Sequence, residues 1–199
     1  LNLLNLFFSM NPLLITPLTE LKVMMNKKIL IIVFYISTIT SAFAGNPLLP
    51  TQGVCDPHIR IYNNKAYMYA SHDERAGLSF YEMNNWWLWS STDLVNWTHE
   101  FTLRPEDTYI NQSLSLCFAP DGHSRNGKYY FYFSQAGDQT GVAVADNPEG
   151  PYVDALGVPL LAQDLTNTKD YDSSVFIDDD NTPYIMWGFA GVGDGYHIA

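Results

Sequence analysis

Basic residues are scarce in this chain: ten Lys and Arg stand against 21 Asp and Glu, a formal net charge of −11. Such an acidic surface excludes nucleic acid and anionic membrane as partners and is compatible with neutral ligands. Cysteine is nearly absent, with only Cys55 and Cys117. Two cysteines exclude a disulfide framework and leave one bond or two buried thiols equally open. His123 and His197 have no partners at ligand spacing, so no metal site and no cofactor is expected, and a structural cation is left open. No Ser-His-Asp order, nucleophile elbow or phosphate-cradling glycine loop stands out.

Also missing, beyond the first forty residues or so, is any long apolar run or any convincing run at helical spacing. The one apolar run, Ile29 to about Ser41, follows the basic Met25-Asn-Lys27-Lys28 and precedes the small-x-small Ala42-Phe43-Ala44. That pattern predicts a secretory signal peptide over residues 25–44, too short and wrongly flanked to span a membrane. The expected location is secreted or periplasmic, without membrane attachment after cleavage. Because Leu1 is not Met, residues 1–24 read as upstream translated sequence outside the fold. Cleavage would remove Lys22, Lys27 and Lys28 against Glu20 alone, leaving the remainder more acidic still.

What residues 45–199 do contain is aromatic and β-branched stretches between turn signals. Strands are predicted at 58–62, 65–71, 86–91, 128–134, 141–145, 174–178 and 183–188, with turns at Asn63-Asn64, Asn126-Gly127, Asn147–Pro151 and Asp180-Asn181. The hairpins repeat: Lys65-Ala-Tyr-Met-Tyr, Lys128-Tyr-Tyr-Phe-Tyr and Thr182-Pro-Tyr-Ile-Met each follow an Asn-containing turn. Trp89-Ser-Ser-Thr-Asp93 likewise matches Val142-Ala-Val-Ala-Asp146, and an aromatic, Trp97 or Tyr152, follows each. Four-strand units with such self-similarity predict an all-β fold, a β-propeller of which two blades and part of a third are present.

Two acids open equivalent units: Asp56 begins the first strand of blade one and Asp172 that of blade three. First strands line a propeller's channel and second strands return to the same mouth, so Asp56, Asp172, His72 and Asp73 are all expected there. Counting back from Lys128 places Phe118 or Ala119 at the matching position, so an aromatic is expected in blade two. The predicted pocket holds two carboxylates and a sugar-stacking ring, with His72, Asp73 and Phe118 as substrate contacts. Asp121 reads as a structural turn residue, Asp178–Asp180 as a solvated hairpin turn, and Trp86, Trp87, Trp89 and Trp97 as blade packing.

Gly53-Val-Cys-Asp56-Pro-His-Ile-Arg-Ile-Tyr, Trp87-x-Trp-Ser-Ser-x-Asp93-Leu-Val-Asn-Trp97 and Cys117-Phe-Ala-Pro-Asp121 resemble family 43 glycoside hydrolases. So do Asn126–Ser134, Asp146–Tyr152 and Tyr171-Asp172-Ser-Ser-Val-Phe-Ile-Asp-Asp-Asp180, in order across essentially all of 46–199. The resemblance implies a five-bladed propeller that hydrolyses arabinose, xylose or galactose linkages of oligosaccharides or polysaccharides with inversion. It makes Asp56 the general base and Asp172 the residue that orients the general acid and raises its pKa. It places the acid itself, a glutamate, in blade four, so residues 45–199 are expected to be the N-terminal part of the domain and inactive alone. Phe118 stands where Trp is usual, and Gly122-His-Ser-Arg125 where an apolar strand is usual. Alternatives are a non-catalytic sugar-binding propeller, an inactive gene remnant, or a retaining fructosidase-type relative; the last is disfavoured by Cys-Asp56-Pro-His and Tyr-Asp172-Ser-Ser.

Overall fold

The computed structural model describes residues 48–49, 53–74, 81–135, 139–189 and 195–199. All lie in one compact unit, Gly45–Ala199. The expected upstream segment and signal peptide, residues 1–44, fall outside the described residues.

Among the described residues, eleven strands form three antiparallel sheets in chain order. The first holds β1 (Val54–Tyr62), β2 (Lys65–Asp73), β3 (Met83–Ser91) and β4 (Thr98–Leu103); the second holds β5 (Cys117–Arg125), β6 (Lys128–Gln135), β7 (Gln139–Ala145) and β8 (Val153–Asp154). The third holds β9 (Ser174–Ile177), β10 (Pro183–Phe189) and β11 (Gly195–Ile198). Each sheet is a meander of sequential neighbours, and β1 lies against β5 and β5 against β9. These are propeller blades packed face to face with their first strands innermost.

The hairpins form where two consecutive residues tolerate positive φ. Asn63 and Asn64 (51° and 62°) join β1 to β2, and Asn126 and Gly127 (53° and 74°) join β5 to β6. Both pairs match the right-handed strand twist, which is why Asn and Gly punctuate the repeat. Burial between the first two blades is aromatic. Tyr69, Trp86, Leu88, Phe131 and Phe133 are fully buried, with Tyr69 and Phe131 edge-on at 5.0 Å. The four tryptophans were expected to pack blades, and Trp86 does so directly: it tilts against Phe133 at 5.0 Å and its Nε1 donates to Phe118 O at 2.7 Å.

β4, β5 and β8 lie outside the predicted strands. β5 carries Pro120-Asp121-Gly122-His123, a poor strand by propensity, and tertiary contacts override that preference. Gly122 is needed because any Cβ there would sit 2.1 Å from the Tyr69 ring. Asp121 is not the turn residue expected from sequence; it is a buried strand residue that joins three blades. Its carboxylate accepts from Arg60 Nη2 of blade one at 2.7 and 2.6 Å. It also accepts from Ser174 Oγ and Val175 N of blade three at 3.1 and 2.8 Å. Arg60 continues to Gly122 O and Val175 O, and His58 Nδ1 donates to Pro120 O at 2.9 Å. The Asp178–Asp180 segment is the expected turn, closed by Asp178 N to Thr182 O at 2.9 Å.

Candidate active site

The first strands of all three blades begin with the same irregularity. In blade one Cys55 pairs with Ser71 and His58 with Tyr69, so Asp56 and Pro57 together oppose Ala70. In blade two Phe118 pairs with Ser134 and Asp121 with Tyr132, so Ala119 and Pro120 oppose Phe133. In blade three Gly188 N donates to Tyr171 O and Ser174 pairs with Met186, so Asp172 and Ser173 oppose Trp187. Each is a bulge, a device that bends a strand and re-aims one side chain.

Asp56 and Asp172 are therefore structurally equivalent, as the repeat predicted. Both take the left-handed conformation, at φ 48° and 52°, which Asp tolerates better than most residues. The expectation for blade two needs correction. Ala119, not Phe118, is the counterpart of the two acids. Phe118 sits one position earlier, equivalent to Cys55 and Tyr171, while Ala119 precedes Lys128 by the same nine residues that separate Asp56 from Lys65.

Both acids open into one pocket of about 410 Å³, lined by Cys55, Asp56, Tyr81, Met83, Phe118, Tyr171 and Asp172. Phe118 thus contributes an aromatic wall from the neighbouring position, 5.6 Å from the Tyr171 ring and edge-on to Tyr81 at 6.5 Å. Tyr81, Met83 and Tyr171 were not anticipated. Tyr171 carried a signal, since it precedes Asp172 as Cys55 precedes Asp56; Tyr81 lies just before β3 and Met83 opens that strand, where the repeat sets no pattern.

His72 and Asp73 reach the same end of their strand but are not among the described residues lining the pocket. The His72 ring stacks on Trp87 with centroids 3.5 Å apart, and its Nδ1 donates to Asn85 Oδ1 at 3.2 Å. Asp73 Oδ1 accepts from Glu82 N at 3.2 Å, and its own N donates to Gly53 O at 2.7 Å. These contacts tie the entry to β1 to the connection that carries Tyr81. Cys55 and Cys117 are free thiols in different blades. Burial pushes the Cys55 thiol up, with the Asp56 charge adding to the shift.

The two carboxyls differ electrostatically. Burial raises Asp56 above the ordinary range, and the nearby His58 opposes that rise. Burial lifts Asp172 further, to about 6, and the charge of Asp56 adds to it. Each residue remains open to solvent at the mouth while its carboxyl is ringed by protein atoms. Asp56 ionises first, and its charge holds the proton on Asp172. Replacing Asp56 by Ala is expected to lower the Asp172 midpoint from about 6 while burial keeps it above 3.8, measured by carbon-13 NMR of the side-chain carboxyls. An unmoved midpoint would show that the acids do not share one field.

The segment carrying Asp172 is held on both sides. Fully buried Asp170 accepts from Trp187 Nε1 at 3.0 Å, Thr166 Oγ1 at 2.7 Å and Leu165 N at 3.0 Å. Its carbonyl accepts from Thr140 Oγ1 at 3.0 Å, and Ser173 N donates to Ser134 Oγ at 3.4 Å. Asp170 thus fixes the loop that delivers Asp172. Sequence reasoning missed it because a buried acid without a basic partner leaves no local pattern.

The sequence model described as Glycosyl hydrolases family 43 matches residues 44–197. Among curated relatives, the xylosidase/arabinosidase 43A of Humicola insolens is 30% identical over 157 residues, covering 71% of this chain and 45% of that protein. The arabinoxylan arabinofuranohydrolase of Bacillus subtilis is 29% identical, covering 72% of this chain and 33% of its own. Among solved structures, a family 43 enzyme from Xanthomonas citri complexed with xylose superposes with a TM-score of 0.60 at 32% identity, covering 73% of this chain and 43% of that one. The chain spans less than half the length of each of these relatives.

Proposed function

This chain belongs to the glycosyl hydrolases family 43, and from that premise we propose that it carries the base side of a secreted, inverting glycosidase site for xylose-, arabinose- or galactose-containing saccharides. The observation that carries the reading is the pair of equivalent bulges that open Asp56 and Asp172 into one pocket with Phe118. Asp56 is the general base: its lower affinity for protons leaves it ionised and able to take a proton from water as the water attacks the anomeric carbon. Asp172 orients the proton donor and, as a neighbouring acid, resists that donor's ionisation. Phe118 and Tyr171 offer apolar faces to the sugar ring and exclude water from the rest of the pocket.

An inverting enzyme holds base and acid roughly 6.5–9.5 Å apart, with room for the water. The pocket supplies two carboxyls, Asp56 and Asp172, for the base and the orienter. The resemblance puts the donor, a glutamate, on a fourth blade. Residues 1–199 alone are therefore expected not to release nitrophenol from aryl arabinosides or xylosides. Turnover above an Asp56→Ala control would overturn this division of roles. For the full-length protein, proton NMR of the first-formed sugar tests the mechanism: the anomer opposite to the substrate supports inversion, and the same anomer refutes it.

A further inference from the structure

A second cavity, of about 450 Å³, opens beside blade two, and its character differs from that of the acid pocket. Gln112, Gln135, Gln139 and Gln163 line it together with Leu114 and Leu116. Among the described residues that line it, four side chains are amides and none is charged, in a chain with a formal charge of −11. Its volume falls within the roughly 300–1,000 Å³ of small-ligand sites.

The amides come from three separate places: the loop before β5 (Gln112), the facing ends of β6 and β7 (Gln135 and Gln139), and the connection after β8 (Gln163). Gln135 is buried and donates Nε2 to Gln139 Oε1 at 2.9 Å, which fixes the orientation of both amides. That bond leaves the Gln139 amide nitrogen with its two donor hydrogens, while the exposed Gln112 and Gln163 keep a donor and an acceptor each. A side-by-side donor and acceptor matches two neighbouring hydroxyls. Leu114 and Leu116 offer apolar surface to the C–H face of the same ligand. The described lining residues offer no charge to pair with a phosphate, a carboxylate or a cation.

The position relates the cleft to the acid pocket. Met83 lines the acid pocket and Leu116 the glutamine cleft, and the two residues form a parallel bridge, with Met83 N donating to Ser115 O at 2.8 Å. One wall therefore separates the two. We propose that the glutamine cleft is a second saccharide site, which holds the part of an oligosaccharide chain remote from the bond being cleaved. This rests on the glycosidase reading of the Asp56 pocket and adds that the natural substrate is longer than the unit the pocket takes. The enzyme then selects polymer or long oligomer over free disaccharide.

Binding decides the matter without turnover. In the full-length Asp56→Ala protein, calorimetric titration with xylo- and arabino-oligosaccharides of two and six units should show tighter binding of one six-unit series. Gln112→Ala with Gln163→Ala, two exposed positions whose loss leaves the core intact, should weaken that six-unit ligand about tenfold and the two-unit ligand little. Ser115→Tyr, an exposed position on the cleft wall, should do the same by filling the space. Unchanged affinity for six units in both variants, or no binding by any saccharide, overturns the proposal. A wild-type protein that hydrolyses no aryl glycoside yet binds six units through these glutamines would refute the glycosidase reading and leave the site standing.

Discussion

Asn in place of Asp56 is expected to lower kcat of the full-length protein on an aryl xyloside or arabinoside by about 10²–10⁴-fold, the usual contribution of a positioned general base. The amide keeps the shape and the left-handed backbone that Asn also tolerates, so KM should change little. What is lost is the site that receives the proton of water. Wild-type activity should fall as pH drops through the Asp56 pKa, which lies above the ordinary 3.8, because the protonated carboxyl cannot act as a base. Residual activity in the variant should lack that acid limb. Asp172 supplies the contrast: with its pKa near 6 it is largely protonated in the range where Asp56 first becomes ionised. Were Asp172 the base, Asp172→Asn and not Asp56→Asn would erase the acid limb. More than a tenth of wild-type kcat remaining in Asp56→Asn would remove Asp56 from the chemistry.

The acids were legible in the sequence because the repeat is a repeat of backbone geometry. Turn residues that accept positive φ, Asn63-Asn64 and Asn126-Gly127, set the hairpins. Counting from them located Asp56 and Asp172 without any knowledge of side-chain contacts. In blade two the same counting left Phe118 and Ala119 both open, because the spacing from acid to hairpin differs between the other two blades, nine residues from Asp56 to Lys65 and ten from Asp172 to Thr182. His72 and Asp73 were assigned from strand direction alone. Direction brings a residue to the correct end of a blade but does not fix which neighbour it meets, and His72 meets Trp87. The β5 strand was hardest to read, since Pro120-Asp121-Gly122 resembles a turn until Tyr69 and Arg60 are packed against it.

That strand carries the second large effect. Asp121→Ala is expected to destabilise the fold by roughly 3–5 kcal/mol, the range for removing one partner of a buried ion pair. The loss is not that of a single contact. Arg60 keeps Gly122 O and Val175 O but loses its charge partner, while Val175 N and Gly122 N lose the carboxylate that accepted them. Each unpaired buried donor costs about 1–3 kcal/mol, so even partial relaxation leaves a large fraction of a stability of about 5–15 kcal/mol. A fall in Tm of about 10 °C by calorimetry is the expected size for a domain of this length. Arg60→Met combined with Asp121→Leu should cost less than the sum of the two single changes, because no charge is then left without its partner. Additive losses would show that the pair is not coupled. Since Asp121 also fixes Ser174 and Val175, directly after the Asp172 bulge, the single variant should broaden the Asp172 carboxyl resonance well below Tm. A loss of stability alone, with that resonance still sharp, would confine Asp121 to holding the blades together.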